Sequence, residues 1–267
     1  MSARLFRQTL RWQRVRLLFV VAAGIAWGAL IPVIYNEFSV FIRELANSGA
    51  FPEEMMNFGS GSLFTLPGAI TLGLQHPLAI AMIGIFAVGA SATAVAGERA
   101  RGTLEVLLAR PISRLAVYAS ILVALLVTVL IVLAAILGGM IGGSAIQGLA
   151  DELDLGRLPL VMLNGFGLWA AFTTFGLAAS VSFDRPGPAI GLSLAYLLVN
   201  YFLEILGSLW PDAAWTSDYS LFHHFNPGAI LTGDAAVVDL LIVFAAAIVP
   251  LVYAIIVFPR RDLAAPA

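Results

Sequence analysis

The sequence predicts an all-α membrane protein: six transmembrane helices, an N-terminal amphipathic interfacial helix, and one short cytoplasmic helix between spans. Three observations carry that expectation. The 267-residue chain is 60% hydrophobic with a mean hydropathy of +0.96, whereas apolar residues make up roughly half of a soluble domain. Six runs are long enough to cross a hydrocarbon core about 30 Å thick, which takes about 20 apolar residues in a helix. The basic residues, 14 in all and every one arginine, gather on one side of those runs.

The elements follow in order. Arg4, Arg7, Arg11 and Arg14 recur every three or four residues, so a helix lines them up in one stripe flanked by Leu5, Phe6, Leu10 and Trp12. Such a stripe faces anionic headgroups or a soluble partner, or acts only as a topogenic charge cluster; Trp12 suits the interface belt. The first span covers 17–35. Its apolar part exceeds a signal-peptide core of about 7–15 residues, and no small-x-small cleavage pattern follows it, so it reads as a retained span.

Residues 36–76 form a long external segment, apolar at Phe38, Phe41, Ile42 and Leu45 and rich in breakers at Phe51-Pro52 and Gly59-Ser60-Gly61-Ser62. The stretch Leu63 to Leu74 is too short and too broken by Pro67, Gly68 and Gly73 for a full span, which makes it re-entrant or interfacial. The second span covers 77–96, with Pro77 in its first turn. The third covers 115–146 and ends in Gly138-Gly139-Met140-Ile141-Gly142-Gly143. Those overlapping Gly-x-x-x-Gly spacings make either a packing seam, within or between subunits, or a loose span end. The fourth and fifth spans, 159–182 and 189–209, are joined by the turn Asp184-Arg185-Pro186-Gly187-Pro188, and the sixth covers 236–258. Continuous apolarity favours helices over barrel strands, which alternate over about ten residues. The chain is a single membrane domain, 1–267.

With six spans, Arg43 and Arg157 alone fall opposite the other arginines, so the positive-inside rule places both termini and residues 97–114 in the cytoplasm. A prokaryotic plasma membrane is the expected location. With no cysteine there is no disulfide, thiol nucleophile or thiolate metal site. With no lysine there is no Gly-Lys-Ser/Thr phosphate loop, so the chain is not its own standard ATPase. No cofactor is expected in this chain and no nucleic-acid partner.

The densest charge lies in 97–114. Glu98, Arg101 and Glu105 are spaced to share a helical face, and Leu104, Leu107 and Leu108 share another. Thr103 after Gly102 is placed to cap a helix with Glu105 in its first turn; Pro111 ends it and Ser113 restarts the chain. Spacing alone leaves two readings open: a force-transmitting cytoplasmic helix and a solvated loop.

At these residues the sequence resembles the type 2 ATP-binding-cassette (ABC) export permeases, through Glu98, Gly102, Thr103, Leu104, Glu105, Leu107, Leu108, Pro111, Ser113 and Arg114. Tyr219 to Pro227 and the ending Arg260-Arg261-Asp262-Leu263 extend the likeness. The resemblance implies the transmembrane subunit of an ATP-driven exporter, paired with a second permease chain and with cytosolic ABC ATPase subunits that carry ATP and Mg. It makes 97–114 the coupling segment. Glu98, Arg99 and Arg101 would meet the ATPase, Gly102 and Thr103 would set the turn, and Leu104, Glu105, Leu107 and Leu108 would seat the helix.

Other polar groups keep two alternatives in view, a six-span hydrolase-like membrane enzyme and a non-catalytic scaffold. Glu204 is a carboxylate inside the fifth span, a candidate for a transport pathway or a side chain snorkelling to water. His223 and His224 with Asp218 or Glu204 make a weak metal constellation, because neighbouring helical residues diverge by about 100°. Ser60 or Ser62 with His76 lacks an orienting acid. Asn164, Thr173 and Thr174 line a pathway or bond between helices.

Overall fold

The computed structural model describes residues 2–48, 57–58, 61–62, 64–109 and 111–261. Among them are five long apolar helices: α1 (Ala3–Asn47), α6 (Arg114–Ile146), α7 (Leu158–Ser182), α8 (Pro186–Leu209) and α10 (Val237–Arg260). A bent pair, α2 (Leu66–Gln75) and α3 (Pro77–Thr93), whose axes differ by 50°, has together the length and apolarity of a sixth crossing. Two short helices, α4 (Ala96–Ala100) and α5 (Thr103–Leu108), link α3 to α6, and α9 (Pro227–Thr232) precedes α10. The protein is a multi-pass, all-α membrane protein. A minimal antiparallel ladder pairs Asn57 with Ser62 and Phe58 with Gly61.

Three boundaries depart from the sequence expectation. The arginine stripe and the first span are one helix, because nothing between Arg14 and Leu17 can break it and Pro32 interrupts only one backbone hydrogen bond. Its 45 residues extend about 67 Å at 1.5 Å per residue, so the stripe stands in line with the span instead of lying across it. The second crossing is not one plain helix. His76, held extended before Pro77, ends α2 and caps α3 through Nδ1, which accepts from the Leu78 N–H at 3.2 Å. Further on, Ile85–Ala90 adopts π-helical turns and the helix breaks after Thr93. The short stretch expected to be re-entrant is α2, almost wholly buried.

Close packing of α1 on α6 explains half of the glycine cluster. A Cβ on Gly139 would sit 2.3 Å from the Ile25 carbonyl oxygen, and one on Gly28 2.1 Å from that of Ile136. The backbones touch where any side chain would part them, so this seam lies within the chain. Gly138 and Gly142 have nothing within 4 Å and face away.

An aromatic cluster sits within the largely aliphatic core. Trp169 and Phe172 of α7 meet Phe222 at ring distances of 6.3 and 5.7 Å, and Phe175 stacks on Tyr196 at 4.1 Å. Buried hydroxyls return to their own helix: Thr173 donates to the Trp169 carbonyl at 2.7 Å and Thr174 to that of Ala170 at 2.9 Å. These satisfy themselves without the interhelical bonds the sequence left open.

Candidate coupling segment

The segment begins at the break after α3. The N–H groups of Val95 and Ala96 lose their helical acceptors there, and the buried Ser180 hydroxyl of α7 accepts both, at 2.9 and 3.0 Å. The break is thus held against α7, and α4 leaves at a defined angle.

Between α4 and α5 the chain turns at Gly102, whose φ of 69° lies in the left-handed region. A Cβ is strained there, which is why a glycine stands at the turn. Gly102, not Thr103, is the cap residue of α5. The Thr103 hydroxyl reaches back to the Glu98 carboxylate at 2.6 Å, and Arg101 pairs with the same carboxylate. Glu98, Arg101 and Thr103 therefore staple the turn. Glu98 and Arg101 pair as their spacing predicts, and Gly102 turns the chain between them and Glu105.

α5 has an inside and an outside. Leu104 is completely buried and Leu107 packs partly on the core. Val106 is 65% exposed, and Glu105 and Arg101 stand in solvent beside it. Sequence reasoning missed Val106, because the phase of α5 depends on the turn at Gly102. The Leu108 side chain, Arg110, Asp262 and Leu263 lie outside the described residues, as do Phe51, Pro52, Gly59 and Ser60. Ser113 caps α6 as expected, its hydroxyl accepting from the Ala116 N–H at 3.2 Å.

Arg99 is not on the exposed face. Its side chain is 11% exposed and pairs with Asp184, in the turn between α7 and α8, at 2.7 Å. Arg261 pairs with Asp184 too and donates to the Val181 carbonyl, and Arg114 donates to the Arg261 carbonyl at 2.8 Å. Helices α4, α6, α7 and α10 thus meet around one acidic residue at the arginine-rich end. Arg4, Arg7, Arg11, Trp12 and Arg14 are exposed along the first turns of α1, and Ser2 fastens that end to α6 through Ser120 at 2.8 Å.

The polar groups at the opposite end are enclosed by neighbouring elements. Glu204 does not snorkel: its side chain is 4% exposed because the 3-10 segment Pro211–Tyr219 folds back over α8. Gly207 admits that fold, since a Cβ would lie 2.0 Å from the Ser217 hydroxyl. His223 Nδ1 is 3.9 Å from the Glu204 carboxylate, and His224 pairs with Asp239 at 2.8 Å. Asn164 is buried and donates to the His224 carbonyl at 2.9 Å, which ties α7 to the loop before α9. Among the described residues no three His, Cys, Asp or Glu side chains gather as metal ligands. His76 uses Nδ1 as a cap and rests on Trp27 at 4.6 Å, and the Ser62 side chain is outside the described residues.

A turn stapled by its own charges, a buried leucine anchor and a small exposed surface at one end of a six-crossing bundle are what the motif residues build. The family model described as ABC-2 family transporter protein matches residues 6–263. No curated protein matches the sequence. With the match spanning nearly the whole chain and the bundle built of apolar crossings, the chain belongs to the ABC-2 transporter family as a membrane-spanning permease subunit.

Proposed function

We propose that this permease is the transmembrane half of an ATP-driven exporter in a prokaryotic plasma membrane, working with a second permease chain and two cytosolic ATPase chains that bind ATP and Mg. On this reading the arginine-rich end, with both termini, faces the cytoplasm, as the distribution of charge supports. The carrying observation is the two-faced helix α5: Leu104 is rooted in the bundle while Val106, Glu105 and Arg101 are offered outward. A helix anchored on one side and exposed on the other passes force from a docked partner into α3 and α6. Those helices then switch the crossings between inward-open and outward-open states.

Glu98 and Thr103 keep the turn rigid, and the Ser180 clamp fixes the angle at which it leaves α3. The test is co-expression with the ATPase encoded beside this chain, followed by Glu98→Ala and Arg101→Ala. Both variants should keep the permease in the membrane and lower ATPase co-purification and ATP turnover at least tenfold. Native capture and turnover in both would refute the coupling role.

A further inference from the structure

A cavity of about 470 Å³ separates the arginine-bearing turns of α1 from the coupling segment. Its size is that of a ligand site. Its floor is apolar, made by Leu5, Ala90, Ala94, Ile121 and Leu125. Its rim is mainly polar, with Gln13 and Arg16 from α1 and, from the coupling segment, Arg101, Thr103 and the Glu98 carboxylate they bond, beside Val106. On α1 the lining runs from Leu5 to Arg16, the last charged residue before the apolar run that starts at Leu17, so the cavity lies beside the arginine-bearing turns, next to the start of the first span.

We propose that this cavity binds one anionic phospholipid with a hydroxylated headgroup, of the phosphatidylglycerol type, with an acyl chain on the apolar floor. Arg16 is exposed at the rim and supplies the planar donor set that a phosphate accepts. Arg101 is paired with Glu98, which leaves Arg16 as the rim's phosphate-facing cation. The Gln13 Oε1 atom is screened from solvent and has no hydrogen-bond partner among the described residues. A buried amide oxygen asks for a donor, and a headgroup hydroxyl is one. The neighbouring stripe of Arg4, Arg7, Arg11 and Arg14 raises the local concentration of anionic lipid without entering the cavity. A soluble phosphate would use Arg16 but leave the floor empty.

The experiment needs only the permease chain, so its outcome is independent of the exporter reading. The chain is placed in phosphatidylcholine nanodiscs with a trace of spin-labelled phosphatidylglycerol or spin-labelled phosphatidylcholine, and the immobilised fraction of each is measured. Native protein should immobilise the phosphatidylglycerol preferentially. Arg16→Gln should cut that preference about fivefold, the worth of one arginine at an anionic surface, while Arg14→Gln, on the same helix but outside the cavity, should change it less. Thr9→Phe, which fills the space from α1, should release the lipid with the arginines intact. Equal immobilisation of the two lipids, equal effects of Arg16→Gln and Arg14→Gln, or displacement by inorganic phosphate would each overturn the proposal. So would retention of the lipid by Thr9→Phe that elutes and melts like the native chain.

Discussion

The two ends of this bundle are fastened by different chemistry. At the arginine-rich end ion pairs join Asp184 with Arg99 and Arg261, and Glu98 with Arg101, beside the neutral Ser180 clamp. At the opposite end, beside the Arg157–Asp154 and His224–Asp239 pairs, buried neutral side chains bond backbone groups. Gln75 donates to the Phe225 carbonyl at 2.8 Å, Asn164 to that of His224 at 2.9 Å, and Asn200 accepts from the Leu221 N–H at 2.9 Å. Exposed ion pairs contribute about 0–1 kcal/mol each and are screened by salt. A buried backbone group stripped of its partner costs about 1–3 kcal/mol. The comparison teaches that one end is held by buried backbone bonds, and that the turn around Asp184 beside the coupling segment is held by charges partly open to water.

Substitutions can break this contrast, and the largest effect belongs to the neutral end. Asn200→Leu strands the Leu221 N–H and should destabilise the chain by about 1–3 kcal/mol, seen as a lower thermal midpoint in detergent. An unchanged midpoint would deny that end its rigidity. Gly102→Val comes next, forcing a branched side chain into the left-handed region at a cost of about 1–2 kcal/mol. That strain is local, so ATP-coupled function should fall much further than the melting temperature.

Asp184→Asn removes the negative charge shared by Arg99 and Arg261 and leaves an amide oxygen to accept from them. Because Asp184 is half exposed, the loss should stay below about 1 kcal/mol and shrink further in high salt. A large, salt-independent loss would show that the charged end is as rigid as the other. Smallest is Arg101→Ala, whose partner Glu98 keeps its bond from Thr103. Stability should move by less than about 0.5 kcal/mol in a melt that resolves such differences.

Much of the fold was legible in the sequence, because a bilayer demands long apolar runs and little else satisfies them. The ends of α6, α7 and α10 lie within a few residues of the apolar runs, and Ser113 caps α6 as its position indicates. What was not legible depends on distant contacts or on helical phase. Glu204 looked free to reach water because nothing local says that Pro211–Tyr219 folds back over Gly207. Arg99 looked like part of an exposed surface because its partner Asp184 is 85 positions away in the chain. The stripe on α1 looked like a separate helix, although the only signal that it continues into the span is the lack of a breaker between them. Within the candidate site the motif named the residues that build the turn and α5, but which of them point outward was set by the single backbone turn at Gly102.

The central claim is that α5 transmits force through a small exposed surface rooted by Leu104. Val106→Asp tests it most directly, since that side chain is 65% exposed, at the mouth of the cavity beside α1, and is not part of the buried core. The measurement is ATPase capture and ATP turnover by the co-expressed complex, alongside the melting temperature of the permease. The account predicts a native melting temperature with capture and turnover reduced at least tenfold. Native capture and turnover in a native-like Val106→Asp permease would contradict it.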